Sequence, residues 1–367
     1  VTLRQGHPLL AGADTERDRR ARRRLVRELL AAGVPESEVL RAVEEDRLAL
    51  LPAEVVLDGK RHYKPETLER LSGLSVERFE EFTRAAGLAT PAEIRGSALN
   101  AAKALARLEK AGLDWEGILE VTRVAGQGLS SIARAMVRLA GETYIEPGDS
   151  EYELGARYAE AANQLLPLLP AILDHQLRVH LRDALRQQTV GESERARGRV
   201  SHSRPMAIAF ADLVGFTRLG TRVHADEVGR VAARLVEIAV AVVHPPVQMV
   251  KSVGDAVMLA STELVPLIEE TLKLVDAVAA EGEHFPQLRA GIAYGHVVAS
   301  GGDWYGHAVN MASRLTAVAR PGSVVASSEV RRMTQGHITW SQPLPHRVRG
   351  MRGPVFVARV RSVDNGD

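Results

Sequence analysis

At 367 residues the chain exceeds the size at which one hydrophobic core usually keeps growing, so two domains are expected. A formal net charge of +1 supplies no overall field for holding nucleic acid or an acidic membrane, and the absence of cysteine excludes a disulfide scaffold, cysteine zinc sites and thiol nucleophiles. Hydrophobic residues make up 45% and charged residues 25%, enough apolar surface to exclude wholesale disorder.

From Asp14 to about Gln188 the sequence is rich in Ala, Leu, Arg and Glu, with apolar residues at helical spacing, so this half is expected to be all helix. Pro35, Pro65, Pro91 and Pro147 divide it into helices of moderate length, and one long segment from Ser150 to Gln188 closes it. Residues 1–189 are thus expected to form a helical domain. Residues 190–205 lose apolar periodicity and collect Gly, Ser and Arg, as a linker does. Residues 206–367 then alternate strand and helix signals: MAIAFADLV, a helix from Asp226 to Val243, VQMVKSV, DAVMLA, a helix from Glu263 to Ala280, and QLRAGIAYG. This βαββαβ order with a central hairpin is the ferredoxin-like pattern, so the whole chain reads as α+β, an arrangement that does not by itself assign a function. No apolar run is long enough to span a bilayer and no signal-peptide pattern opens the chain, so a cytoplasmic protein without a transmembrane segment is expected.

Three segments of the second half carry chemistry. Asp212 ends the apolar strand AIAFAD and is followed by Gly215, a place for a hard cation and a phosphate, although a lone strand-end Asp is more often a cap or turn residue. Lys251-Ser-Val-Gly-Asp255 lies between two apolar runs and fits a hairpin that would bring Asp255 to a sheet end. Two carboxylates so placed could share two cations roughly 3.5 to 4 Å apart, which would activate an attacking oxygen and neutralise a leaving one. On a helix begun near His307, Asn310 and Arg314 stand at i and i+4 and project from one face, where a guanidinium offers fixed donors to phosphate oxygens. Alone, that pair reads more readily as a solvated Asn and Arg on an amphipathic helix.

Taken together and in this order, FADLVGFT, KSVGDAVM and YGHAVNMASRL resemble the class III adenylyl and guanylyl cyclase family, over about Pro205 to Val360. The resemblance implies a ferredoxin-like catalytic domain that works as a homodimer with sites at the subunit interface. It implies two divalent metal ions, Mg or Mn, on Asp212 and Asp255, a base-reading pair in Lys251 and Asp303, and a catalytic transition-state pair in Asn310 and Arg314. Adenine offers a ring acceptor and an amino donor, which a Lys donor and an Asp acceptor complement, whereas guanine presents the opposite pattern, so ATP is the expected substrate. The expected reaction is in-line attack of the 3′-hydroxyl on the α-phosphate, giving cyclic AMP and pyrophosphate. The turn amides of Val214, Gly215, Phe216 and Thr217, with Arg352 from HRVRGMRG, are candidates for the terminal phosphates.

The first half carries no comparable motif. His62 to Leu88 has the helix, Gly-centred turn and helix of a helix-turn-helix, which makes a DNA-binding regulator one alternative, but Glu77, Glu80 and Glu81 match phosphate poorly and no nucleic-acid partner is expected. An inactive cyclase fold that senses nucleotide is a second alternative. The basic run at residues 19–24 reads as a solvated face. LLPLLPAIL, from Leu165 to Leu173, reads as a core or subunit interface in preference to a pocket for an apolar ligand. His202 and His224 flank the start of the catalytic domain and are the first candidates for a pH switch. In layout the chain is similar to mycobacterial soluble adenylyl cyclases with an autoinhibitory, pH-responsive front domain.

Overall fold

The computed structural model describes residues 7–58, 62–89, 94–187, 203–221 and 224–363. The chain divides into two compact units, Val1–Thr189 and Val190–Asp367. Most of the segment expected as a linker, 190–202, and with it His202, lies outside the described residues, while Ser203 to Pro205 are already paired in a strand.

The first unit is helical: α1 (Glu16–Ala31), α2 (Glu36–Glu44), α3 (Leu51–Asp58), α4 (Pro65–Ser72), α5 (Val76–Ala85), α6 (Gly96–Lys110), α7 (Trp115–Tyr144), α8 (Glu151–Leu165) and α9 (Leu169–Gln187). Two-residue strands β1 (His62–Tyr63) and β2 (Ile94–Arg95) pair antiparallel between them. Thr15 and Ser150 open α1 and α8 with capping boxes, each satisfying otherwise orphaned N–H groups. Arg22 clips these two helices together through a bidentate pair with Glu151, 2.7 and 2.9 Å, over a core containing Leu25, Val26 and Leu51. A second core gathers Leu68, Phe79, Leu105 and Ile118 from α4 to α7.

Pro35 precedes α2, Pro65 opens α4 and Pro147 lies between α7 and α8, whereas Pro91 lies outside the described residues. Two expectations fail locally. The segment 150–188 is two helices, broken where Pro167 supplies no N–H at the α8–α9 turn. Conversely, α7 runs for 30 residues through four glycines, one of which, Gly126, lets the helix press on the Ala86 carbonyl at the end of α5. The α4–α5 pair does turn at a left-handed Gly73, but α5 packs on α7. Its Glu81 accepts the Trp115 indole N–H at 2.7 Å and its Arg78 lies 4.6 Å from the Trp115 ring, so this charged face is engaged inside the unit and the DNA-binding alternative finds no support. Leu168 and Ile172 of the apolar stretch are 58% and 52% exposed, so that stretch is not core in this chain.

The second unit is a mixed sheet covered on both faces. Its elements are β3 (Ser203–Leu213), α10 (Phe216–Leu219), α11 (Ala225–Val242), β4 (Gln248–Val253), β5 (Ala256–Ser261), α12 (Leu264–Ala279), β6 (Leu288–Ser300), β7 (Asp303–Tyr305), α13 (His307–Val318), β8 (Val324–Ser327), α14 (Ser328–Met333), β9 (Ile338–Trp340), β10 (Leu344–Arg347) and β11 (Pro354–Val363). The strand order is β10-β11-β8-β6-β3-β5-β4, with β7 on β6 and β9 on β11. Within it, β6-β3-β5-β4 is the antiparallel ferredoxin-like order. Ala207, Ala209, Ala211 and Leu213 of β3 face α11 and α12, while Met206 and Ile208 face α13, which is why β3 reads as a continuous apolar run. The helix α13 sits close on the sheet because Gly291 has no side chain: a Cβ there would stand 2.6 Å from the Ala312 carbonyl oxygen.

Candidate active site

Asp212 is the penultimate residue of β3, with Ala256 opposite it on β5 and Arg289 opposite it on β6. Leu213 donates its N–H to the Asp255 carbonyl at 3.0 Å, which sews the β4–β5 turn to the end of β3 and brings the two aspartates to one end of the sheet. The turn itself needs Gly254, whose φ is 60°. Burial pushes the Asp255 carboxyl above the usual carboxylate range, and the Asp212 charge beside it adds to the effect.

Sequence reasoning missed Arg289. Its Nη2 and Nε lie 2.9 and 3.2 Å from one oxygen of Asp212, and its Nη1 donates to the Ala317 carbonyl near the end of α13. The available signal was a lone guanidinium between Leu288 and Ala290, both buried.

After β3 the chain turns through Gly215, φ 80°, into α10. The Val214 N–H is taken by the Gln287 carbonyl at 2.8 Å, which leaves the amides of Gly215, Phe216 and Thr217 as the candidates from this turn. Lys251 of β4 donates to Oδ2 of Asp303, the first residue of β7, and Oδ1 of Asp303 accepts the Trp304 N–H at 2.8 Å. Both oxygens of that carboxylate are therefore oriented. Asn310 is exposed on α13, and Arg314, one turn further on, is half-buried with Nη1 3.5 Å from the Gly350 carbonyl and 3.3 Å from Met351 Sδ. Arg352 is exposed in the same loop, between β10 and β11.

The structure thus groups Asp212, Asp255 and Arg289 in one cluster, Lys251 and Asp303 in a second, and Arg314 with the Gly350–Arg352 loop in a third. Among the described residues no hydrogen bond or ion pair joins the aspartate cluster to Lys251, Asp303, Asn310 or Arg314.

Residues 3–185 match the adenylate cyclase regulatory domain family, and residues 199–357 match the adenylate and guanylate cyclase catalytic domain family. The chain is 37% identical over 355 residues to the pH-sensitive adenylate cyclase MT1302 of Mycobacterium tuberculosis (strain CDC 1551 / Oshkosh), covering 94% of this chain and 88% of that protein. An adenylate cyclase of Streptomyces coelicolor is 35% identical over 295 residues, covering 77% of this chain and 74% of that one. One of Streptomyces griseus is 32% identical over 300 residues, covering 79% and 73%. With both units matched, the chain belongs to the class III adenylate cyclase family, a regulatory domain followed by an adenylate and guanylate cyclase catalytic domain.

Proposed function

We propose that this enzyme converts ATP to cyclic AMP and pyrophosphate in a site shared by two copies of the chain. The observation that carries the choice of base is the Lys251–Asp303 pair. It sets a cationic donor beside an acceptor, with the carboxylate held at both oxygens, and that pattern complements the adenine ring nitrogen and amino group. Guanine would leave these half-buried groups mispaired, at a cost of about 1 to 3 kcal/mol each.

Asp212 and Asp255 fit hard divalent cations. They are two carboxylates at one end of the sheet without a third His, Asp or Glu clustered beside them among the described residues, a donor set that leaves coordination positions for phosphate oxygens. When bound, two ions, Mg or Mn, would supply charge neutralisation at the phosphates and make the 3′-hydroxyl more acidic. The chain's own residues do the rest. Lys251 and Asp303 fix the base, Asn310 orients the ribose, and the amides of Gly215 to Thr217 with Arg352 hold the terminal phosphates. Arg314 faces the charge that gathers on the α-phosphate as the 3′-oxygen bonds to phosphorus, the bond to the pyrophosphate oxygen breaks and the hydroxyl proton leaves. Release of Asp212 by Arg289 would free that guanidinium for the leaving phosphates.

Within one chain no hydrogen bond or ion pair among the described residues joins the aspartates to Lys251, Asp303, Asn310 or Arg314, which fits a shared site in which Asp212 and Asp255 from one copy would meet those residues from the other. The first unit, 1–189, would act as the regulatory domain through a linker at 190–205. Similarity to a relative named pH-sensitive supports pH as its signal. No described helix is long and apolar enough to cross a membrane, in keeping with a cytoplasmic enzyme. The direct test is incubation of purified protein with ATP or GTP and Mn²⁺ or Mg²⁺, followed by quantitation of both cyclic nucleotides. Cyclic AMP formed far faster than cyclic GMP supports the reading, and comparable rates refute the base assignment.

A further inference from the structure

We propose that Arg204 is a positioning residue for base recognition, acting on Asp303 through Trp304; this rests on the reading of Lys251 and Asp303 as the base-reading pair. The strand that carries Asp303 is weakly anchored by its backbone. It has three residues, follows two glycines in left-handed conformations, Gly301 and Gly302 with φ of 58° and 76°, and pairs with the last residues of β6. A ladder this short leaves the angle of the strand, and hence of the Asp303 carboxylate, to side-chain packing.

The packing is supplied by Trp304. Its backbone N–H donates to Oδ1 of Asp303, so any shift of Trp304 is passed to the carboxylate directly. Its ring is half-buried against the cluster that includes Val297 and Ala308, and the Arg204 guanidinium covers it at 4.5 Å from the ring. The register explains how residues 100 positions apart meet. Arg204 pairs with Val297, Trp304 pairs with Ala299, and Val297 and Ala299 share a face of β6 because side chains alternate. The two side chains therefore lie on one face of the sheet, reaching across β6 from either edge. β3 is the long central strand that also carries Asp212, so Arg204 ties the base-reading hairpin to the most firmly paired element of the unit.

A guanidinium that merely shields Trp304 would change stability alone. A positioning residue changes how well adenine is held and how well it is told from guanine. Arg204→Met should raise KM for ATP by about three- to tenfold, the range of one hydrogen bond, and lower the ATP-to-GTP ratio of kcat/KM by a similar factor, with kcat within about twofold. Arg204→Lys, which keeps a cation over the ring, should hold KM and the ratio within about twofold. Trp304→Leu should reproduce the Arg204→Met profile and carries the same test if Arg204→Met does not fold, and the double variant should be no worse than Trp304→Leu alone. The proposal is overturned if Arg204→Met lowers Tm while KM and the nucleotide ratio stay at wild-type values, or if the two substitutions add in full. Asp303→Ala, assayed alongside, separates the two levels. If it erodes the nucleotide ratio and Arg204→Met does not, Arg204 alone loses its role. If Asp303→Ala leaves the ratio unchanged, the base-reading assignment falls and the Arg204 proposal with it.

Discussion

The guanidinium of Arg289 lies on the carboxylate of Asp212, 2.9 Å from Nη2 to Oδ2, from the strand position directly opposite. A fixed cation therefore already occupies the neighbourhood that the proposed mechanism gives to a mobile one. The two should compete. Arg289→Met should lower the metal-free Tm slightly, in line with a partly exposed pair worth about 1 kcal/mol or less. It should also enlarge the rise in Tm that Mn²⁺ produces, because the resident competitor is gone, and it should lower turnover. Thermal melts across a Mn²⁺ titration check this, and identical metal-induced rises in the two proteins would show that the guanidinium and the metal do not compete.

Asp255 gives the opposite kind of prediction. Its carboxyl is held above the usual range, chiefly by burial and further by Asp212, so ionising it in the folded chain costs stability. The sign follows from linkage: the contribution of this group is complete below the unfolded carboxylate pKa, about 4, and is lost as pH rises through the higher folded value. Asp255→Asn removes that loss. In metal-free buffer near pH 8 the variant should melt higher than wild type by about 1 to 3 °C, the gap closing toward pH 4, while cyclic AMP formation is almost abolished. A lower Tm at pH 8 would contradict the electrostatic account of this turn.

The shared-site reading predicts complementation. Asp212→Ala removes a metal-holding carboxylate, and Arg314→Ala removes charge that the transition state needs while leaving ATP binding largely intact. Each homodimer should be nearly inactive. After subunit exchange, a mixed dimer would carry both defects in one site and none in the other, so activity should return toward half of the wild-type value per mixed dimer. Inactive mixtures in which mass spectrometry confirms mixed dimers would place the whole site within one chain.

Control by the first unit is tested by deletion of residues 1 to 200. If that unit holds two catalytic units apart by biasing a two-state equilibrium of about a few kcal/mol, the truncated protein should be more active and should lose any pH dependence beyond the titration of the catalytic unit itself. Equal rates and pH profiles for both proteins would remove the regulatory role.

What could be read from the sequence follows from how local each signal is. The strand end at Asp212 and the Gly-Asp turn at Asp255 are encoded within a few residues and could be read locally, whereas a metal-holding role for the two rests on the resemblance. The meeting of Lys251 with Asp303 spans 52 positions and came from family resemblance, because no periodicity reaches that far. Arg289 went unseen because a single charge near the start of a long apolar strand has no local signature; its meaning lies in Asp212 on the strand opposite. In the first unit, β1 and β2 are too short for alternation to register, and α7 runs through its glycines because packing at Gly126 outweighs their poor helix propensity.

The absence of a side chain at Gly291 has a mechanical consequence. With the backbone of α13 pressed on β6 and the Thr316 hydroxyl set between the Ala312 carbonyl of its own helix at 2.9 Å and the Phe210 carbonyl of β3 at 3.0 Å, the helix bearing Asn310 and Arg314 and the strand bearing Asp212 form one stiff casting. Bending that casting to throttle the reaction would mean tearing close-packed backbone apart. In the proposed shared site a signal would then have a cheaper route: leaving each casting as it is and changing whether two of them are brought face to face.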